Sequence, residues 1–589
     1  MSPRHVFTAI ALATSALATP AHGGPTEDLA ALIDESWAYT LSQSPTFATA
    51  LGVRDYDDRI GDPSLAAQDA YAARSAQFLA RLNAIPLAAL SPADRTNALI
   101  LKWQLEAAVE ANRYGQREML FTTYSGWHQA FAGMADNLPF RTKADFRSYL
   151  TRMAKYPAYN DAALAVSDRA IAHGFVLPCV VLGNVESSIT GVIADDPTKS
   201  RYYKPFLGSR PADASDAEWA AMQGEARATI ADAINPAYAR HAAWYRDSYL
   251  PHCTQTVGVS AMPGGADYYD FQVRQMTTTD LDAEAIHRIG LDEVARIRAE
   301  MDAVATKAGY ASRAAFIAEL RSDPQYYAKT PAELMAAAAL EAKKHDGLMP
   351  QYFGSLPRLP YGVKEIPAET AEGTTTAYYN PGAPESGIAG FYYVNTSKLD
   401  QRPLYELPAL TAHEAVPGHH HQIALNQELD LPDFRRNGAF FTAFVEGWGL
   451  YAERLGIEMG IYDTPAKDMG RLSYEMWRAT RLVVDTGIHA KGWSKQQAVD
   501  YMTDNTALSA ANIDAEVNRY ISWPGQALGY KIGELKIREL RALAEQELGA
   551  AFDIRAFHDC VLGQGAVPLA VLDRQVKDWI AAQKAKPAA

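Results

Sequence analysis

Apolar residues recur three and four apart through most of the chain. That is the spacing of one helix face rather than the alternation of a strand. The pattern predicts long helices over about 27–43, 64–84, 93–112, 143–173, 216–248, 279–306, 331–349, 406–427, 438–460, 466–491 and 525–548. Two capping boxes mark helix starts: Thr330-Pro331-Ala332-Glu333, with Pro at the first helical position, and Ser494 to Gln497. One region departs from the period. Tyr361 to Thr396 contains YGVKEIP, TTTAYYNPG and GIAGFYYVNT, which are β-branched and aromatic and punctuated by Gly and Pro. They predict two or three short strands just before a helix rich in histidine. No repeat, low-complexity linker or charge run divides the chain, so residues 24–589 are expected to form one mainly helical domain.

Composition narrows the partners. At 589 residues and 48% apolar, the chain can bury a large core. Its net charge of −14 argues against nucleic acid or an anionic membrane as the main partner, since both require basic surface. The N-terminus has Arg4 and His5, an apolar run from Val6 to Ala18 and small residues near Ala21 and Gly23. This predicts a cleavable secretory signal over residues 1–23 and a periplasmic or secreted protein. The run is too short to span a bilayer, no later run suits a membrane helix, and no Cys follows to take a lipid anchor. Cys179, Cys253 and Cys560 allow one disulfide at most. They include no Cys-x-x-Cys pair and are expected to be buried or incidental.

The chemistry concentrates in HEAVPGHHHQ, His413 to Gln422. His-Glu-x-x-His on a helix places two imidazoles on one face around a zinc, with the Glu beside the attacking water. Here the position four after His413 is Pro417. Reading Pro417-Gly418 as an insertion restores the motif and makes His419 the second ligand. On an undistorted helix His419 would lie about 120° round from His413, and His420 about 10 Å along the axis, so either requires the helix to bend at Pro417. His419 needs the smaller distortion, with His420 as the alternative. The third ligand is expected from FVEGWGLYAERLG, Phe444 to Gly456, where Glu446 and Glu453 lie two turns apart on one face. Glu446 stands among aromatic and aliphatic residues, where an unpaired carboxylate would be costly. The predicted centre is therefore Zn2+ on His413, His419 and Glu446, with Glu414 as general base. No Gly-x-Ser-x-Gly elbow or phosphate-binding Gly-rich loop competes with it.

These residues, with Glu446-Gly447-Trp448 and Tyr451-Ala452-Glu453, resemble the bacterial "domain of unknown function 885" family. WAYTLSQSPTFATALGVRDYDDR, IHRIGLDEVARIRAEMD, DTGIHAKGW and RYISWPGQALGYKIG extend the likeness over most of the chain. The resemblance implies a gluzincin-like zinc peptidase with a large, two-lobed, mainly helical fold, a deep cleft and a catalytic core at about 361–548. It also implies short peptides as substrate, although the motifs specify none. By analogy, donors for the oxyanion are sought late in the chain, with His489 and Tyr530 placed first. Arg519, Tyr520 and Lys531 are candidates to bind substrate, the two cations through a carboxylate. Gly390, in the strand beside the metal helix, would let an extended peptide pair with that strand as a sheet edge. A metal-dependent amidohydrolase of non-peptide amides and a non-catalytic binding protein stand as alternatives.

Overall fold

The structure is a computed structural model that describes residues 24–586 except 368–370, 372–373 and 385–386. The expected signal segment, residues 1–23, lies outside the described residues. Among the described residues the fold is mainly α with one small sheet, as the periodicity predicts. At its centre is the helix Pro465–Lys491, capped by Thr464 at one end and by Gly492 in the left-handed region at the other. It is buried on all sides from Met469 to His489, so it is a core element and not a surface helix. Ala283–Lys307 packs along its length.

Three helices are tied together by a buried ionic cluster. Lys531, fully buried on Gly529–Leu548, lies 2.9 Å from Glu293, 2.9 Å from Glu475 and 3.0 Å from Glu534. Arg296 and Arg471 complete the pairing of Glu293 and Glu475. Lys531 is therefore consumed by the scaffold. The expectation that it meets a substrate carboxylate is corrected: its donors are taken by three carboxylates from inside the chain, and no solvent reaches it.

The hydrophobic core divides into two large clusters and a smaller third. The short helix Leu407–Glu414 reaches both large clusters, with Leu407 and Leu410 in one and Ala412 in the other. The residues at its end therefore sit at the seam between the two.

Beside this seam lies the sheet of β1 (Tyr361–Glu365), β2 (Ala377–Asn380) and β3 (Gly390–Val394). The order is β1-β3-β2, with β3 parallel to β1 and antiparallel to β2. The sheet occurs where Gly/Pro-punctuated aromatic runs predict it. Its connectivity corrects one expectation: β3 is the central strand, and both its edges are already paired. Gly390 has another purpose, because a Cβ there would lie 2.2 Å from the Tyr379 hydroxyl. Cys179 and Cys253 form a disulfide and Cys560 is free, so two of the three cysteines are a covalent tie and not incidental.

Candidate metal centre

The stretch 406–427 was expected as one bent helix, and it is two. Leu407–Glu414 ends, the backbone leaves helical geometry at Ala415 (φ −99°, ψ −111°) and at Gly418 (φ −76°, ψ −127°), and His419–Glu428 begins. The Val416–Pro417 peptide between them is cis. Pro417 has no N–H to continue the ladder. Gly418 folds back over the helix end, where a Cβ would lie 1.9 Å from the His413 carbonyl oxygen. The carbonyls freed by the break are satisfied from two sides. His345 Nδ1 donates to Val416 O at 3.2 Å, and Trp448 Nε1 donates to Pro417 O at 2.8 Å.

The break delivers His419 to His413. Their rings are 4.6 Å apart and nearly perpendicular, and each Nε2 lies 3.4 Å from Glu446 Oε2. The three ligand atoms all fall within 4.8 Å of one another. Ligands at about 2.0–2.2 Å around a tetrahedral zinc stand roughly 3.3–3.5 Å apart, so the two 3.4 Å contacts suit a metal. Two further observations agree. Glu446 Oε2 and His419 Nδ1 are buried without hydrogen-bond partners among the described residues. Three acids (Glu414, Glu446 and Glu453) surround His413, so the pocket favours a cation.

The helix Thr442–Leu455 is shaped around the His413 ring. Glu446 faces one ring nitrogen, and Glu453, two turns on, accepts from the other, Nδ1, at 2.8 Å. Between them on the same face is Gly449, where a Cβ would meet the His413 ring at 2.7 Å. Glu453 thus holds the Nδ1–H, so that Nε2 is the nitrogen that can give up its proton to a metal, and Arg478 at 3.3 Å supports the carboxylate. Burial would lower the pKa of His413, yet Glu446 and Glu453 outweigh it and push it up to about 9. Burial would likewise raise Glu446, but His413 and His419 hold it well below the carboxylate range.

His420 and His421 face away from the centre. His420 Nδ1 is 3.0 Å from the Tyr379 hydroxyl, and His421 packs 4.5 Å from the Phe353 ring. Burial pushes them down to about 4 and about 3, so both are neutral. Glu414, the residue after His413, is half-buried, and no hydrogen bond or ion pair among the described residues engages its carboxylate.

Of the late candidates, Tyr530 reaches the site: its ring lies 6.4 Å from that of His413 and nearly parallel to it. Its hydroxyl accepts from Arg519 Nη2 at 3.2 Å. Tyr520 is one layer back, its hydroxyl shared among Trp477, Arg481 and Glu516. His489 is corrected. It is fully buried; Nδ1 accepts from the Val259 N–H, and Nε2 donates to Tyr520 O. Both nitrogens are occupied, and burial drives its pKa down to about 4, so it braces the Tyr520 segment rather than meeting substrate. The sequence reading gave Arg481 and Gly449 no role, although Glu446-x-x-Gly449-x-x-x-Glu453 carries a signal: a small residue between two acids on one helix face.

Residues 45–576 match the family described as "Bacterial protein of unknown function (DUF885)". The chain belongs to that family. Two solved structures agree over nearly its whole length. One is a candidate lipoprotein from Colwellia psychrerythraea, 28% identical, covering 95% of this chain and 100% of that one, with a TM-score of 0.88. The other is a candidate lipoprotein of unknown function from Shewanella oneidensis, 19% identical, covering 94% and 99%, with a TM-score of 0.73. An M32 carboxypeptidase from Deinococcus radiodurans aligns at 12% identity over 95% and 97%, with a TM-score of 0.37, too slight a likeness to place this DUF885 chain's activity. No curated protein matches by sequence.

Gly449→Ala should push the His413 ring off its seat and lower zinc affinity by about 10–100-fold, the range for disturbing a ligand's support, as read against a competing chelator. Unchanged affinity would show that the ring is not positioned by this helix. With His413 protonated up to about pH 9 in the metal-free protein, zinc must displace that proton. Calorimetry at pH 7 in buffers of different ionisation enthalpy should find about one proton released per zinc, with affinity rising up to about pH 9. Zero release would mean that His413 is already neutral.

Proposed function

We propose that the protein is an exported, zinc-dependent hydrolase that cleaves amide bonds of short peptides. The observation that carries this reading is the triad of His413, His419 and Glu446, with the free carboxylate of Glu414 next to the first ligand. The donor set of two imidazoles and a carboxylate is a catalytic zinc set that leaves one position open. When bound there, zinc supplies a Lewis acid that polarises a carbonyl and acidifies water. The protein's own groups do the rest. Glu414 takes the proton from the attacking water and returns it to the leaving amine. Tyr530, whose hydroxyl accepts from Arg519, keeps its own proton to donate to the amide oxygen as negative charge builds there. The His413–Glu453–Arg478 chain holds the first ligand in its orientation throughout.

Export is supported by the apolar N-terminal segment and by the Cys179–Cys253 disulfide, a bond that persists in oxidising compartments. The similarity to two candidate lipoproteins points the same way. No helix among the described residues is long and apolar enough to cross a membrane.

Glu414→Gln keeps the shape and removes the base. The variant should retain stoichiometric zinc while hydrolysis of a short-peptide library falls by about 10²–10⁴-fold, the usual contribution of a general base. Turnover near the parent rate would remove Glu414 from this role. A parent enzyme that holds zinc and cleaves non-peptide amides but no peptide would move the substrate class.

A further inference from the structure

Behind Tyr530 lies a network whose charges do not balance. Arg481 Nη2 is 2.9 Å from Glu516 Oε2, and Arg519 Nη1 is 3.4 Å from Glu516 Oε1. Two guanidinium groups thus share one carboxylate. The neighbouring acid, Asp514, is drawn off by Lys495 at 2.6 Å. The other partners are neutral: Tyr520, the Tyr530 hydroxyl, and Gln526, which accepts from Arg519 at 2.5 Å. Arg481 is only 2% exposed, stacks 4.4 Å from the Tyr530 ring and has a buried Nη1 with no partner among the described residues. A surplus positive charge held in a buried network calls for an anion. Arg519 is the member an anion can reach, since its side chain is 20% exposed. Tyr124, which is half exposed, donates to the Ala515 carbonyl on the same helix and marks this side as the open one.

We infer that Arg519, backed by Arg481, is the receptor for a substrate's free C-terminal carboxylate, so that the enzyme trims peptides from the carboxyl end. This rests on the peptide-hydrolase reading above. The planar fork of a guanidinium suits a carboxylate, and a neutral C-terminal amide forfeits the charge. The spacing sets the register. The Arg519 guanidinium carbon is 6.0 Å from the Tyr530 ring centre, which is 6.4 Å from the His413 ring. An extended chain covers roughly 3.3–3.6 Å per residue, so a carboxylate on Arg519 presents one of the last three amide bonds to the metal cluster. Tyr530 serves both ends, touching the receptor with its hydroxyl and the metal helix with its ring.

The test compares one short peptide as the free acid and as the C-terminal amide, with products located by mass spectrometry. The free acid should be cut at one of its last three bonds with kcat/KM about 10–100-fold above the amide, as expected for a charge-assisted contact. In parallel, calorimetry on the zinc-loaded protein measures N-acetylphenylalanine against its amide, a readout independent of turnover. The acid should bind more tightly. Arg519→Met should abolish that preference and Arg519→Lys should keep part of it, with the melting temperature checked for each. If Arg519→Met does not fold, the acid-to-amide ratio of the parent protein decides. Peptides cut with no preference for the acid would leave the hydrolase standing and overturn the receptor. Preference in binding without cleavage of any peptide would support the receptor and sink the peptidase. Equal binding of acid and amide overturns the receptor whatever the kinetics.

Discussion

His413 and His419 meet because the backbone stops being helical between them. Six residues along a regular helix would leave the two rings about 120° apart, facing different neighbours. Four residues, Ala415 to Gly418, undo that rotation, and the surrounding structure meets the cost of doing so. The loop's carbonyls are satisfied by His345 and Trp448, and only a glycine fits at 418 against the His413 carbonyl. The same tryptophan lies on the helix that supplies Glu446, so one hydrogen bond ties the break to the carboxylate proposed as third ligand. Were the loop to regain helical geometry, His419 would turn away and the centre would lose its second imidazole.

Charge gives the site its second constraint. The protein buries His413 between two carboxylates and leaves Glu446 without a hydrogen-bond donor in good geometry. Next to this acid-rich pocket stands a pair of arginines with one glutamate between them. Acid excess and base excess are thus separated by a single tyrosine ring, Tyr530. The first favours a cation and the second an anion. A zwitterionic arrangement of this kind is what the proposed peptide substrate, polarised at its amide and charged at its end, would require. The buried central helix Pro465–Lys491 makes it possible by supplying Arg478 to one side and Arg481 to the other, three residues apart.

Much of this was legible in the chain itself. Helical period predicted most of the long helices, although Pro465–Lys491 is buried all round and Leu569–Lys584 was not among them. The seven-residue spacing from Glu446 to Glu453 predicted a shared face, which His413 occupies. The inserted Pro-Gly pointed to a distortion, although its extent, a full break, depends on loop hydrogen bonds that no local pattern encodes. The late residues were harder for a physical reason. Tyr530 and Lys531 are adjacent, so they point about 100° apart, one toward His413 and the other into three carboxylates. His489 sits on a helix buried all round, where nothing local tells which neighbour a polar group will meet. Gly390 looked like room for a peptide, and it is room for Tyr379. The helix Ala510–Ser522, which carries Arg519, has the helical period in Ile513, Val517, Tyr520 and Ile521, but over only thirteen residues that include Asn512, Asp514 and Asn518.

The claim beneath all of this is that the break makes His419, and neither His420 nor His421, the partner of His413. X-ray absorption at the zinc edge, on the zinc-loaded parent and on His419→Ala and His420→Ala, tests it directly. The account predicts two imidazoles and at least one oxygen at about 2.0–2.2 Å in the parent, one imidazole fewer in His419→Ala and an unchanged shell in His420→Ala. Two imidazoles surviving in His419→Ala, or one lost in His420→Ala, would contradict it.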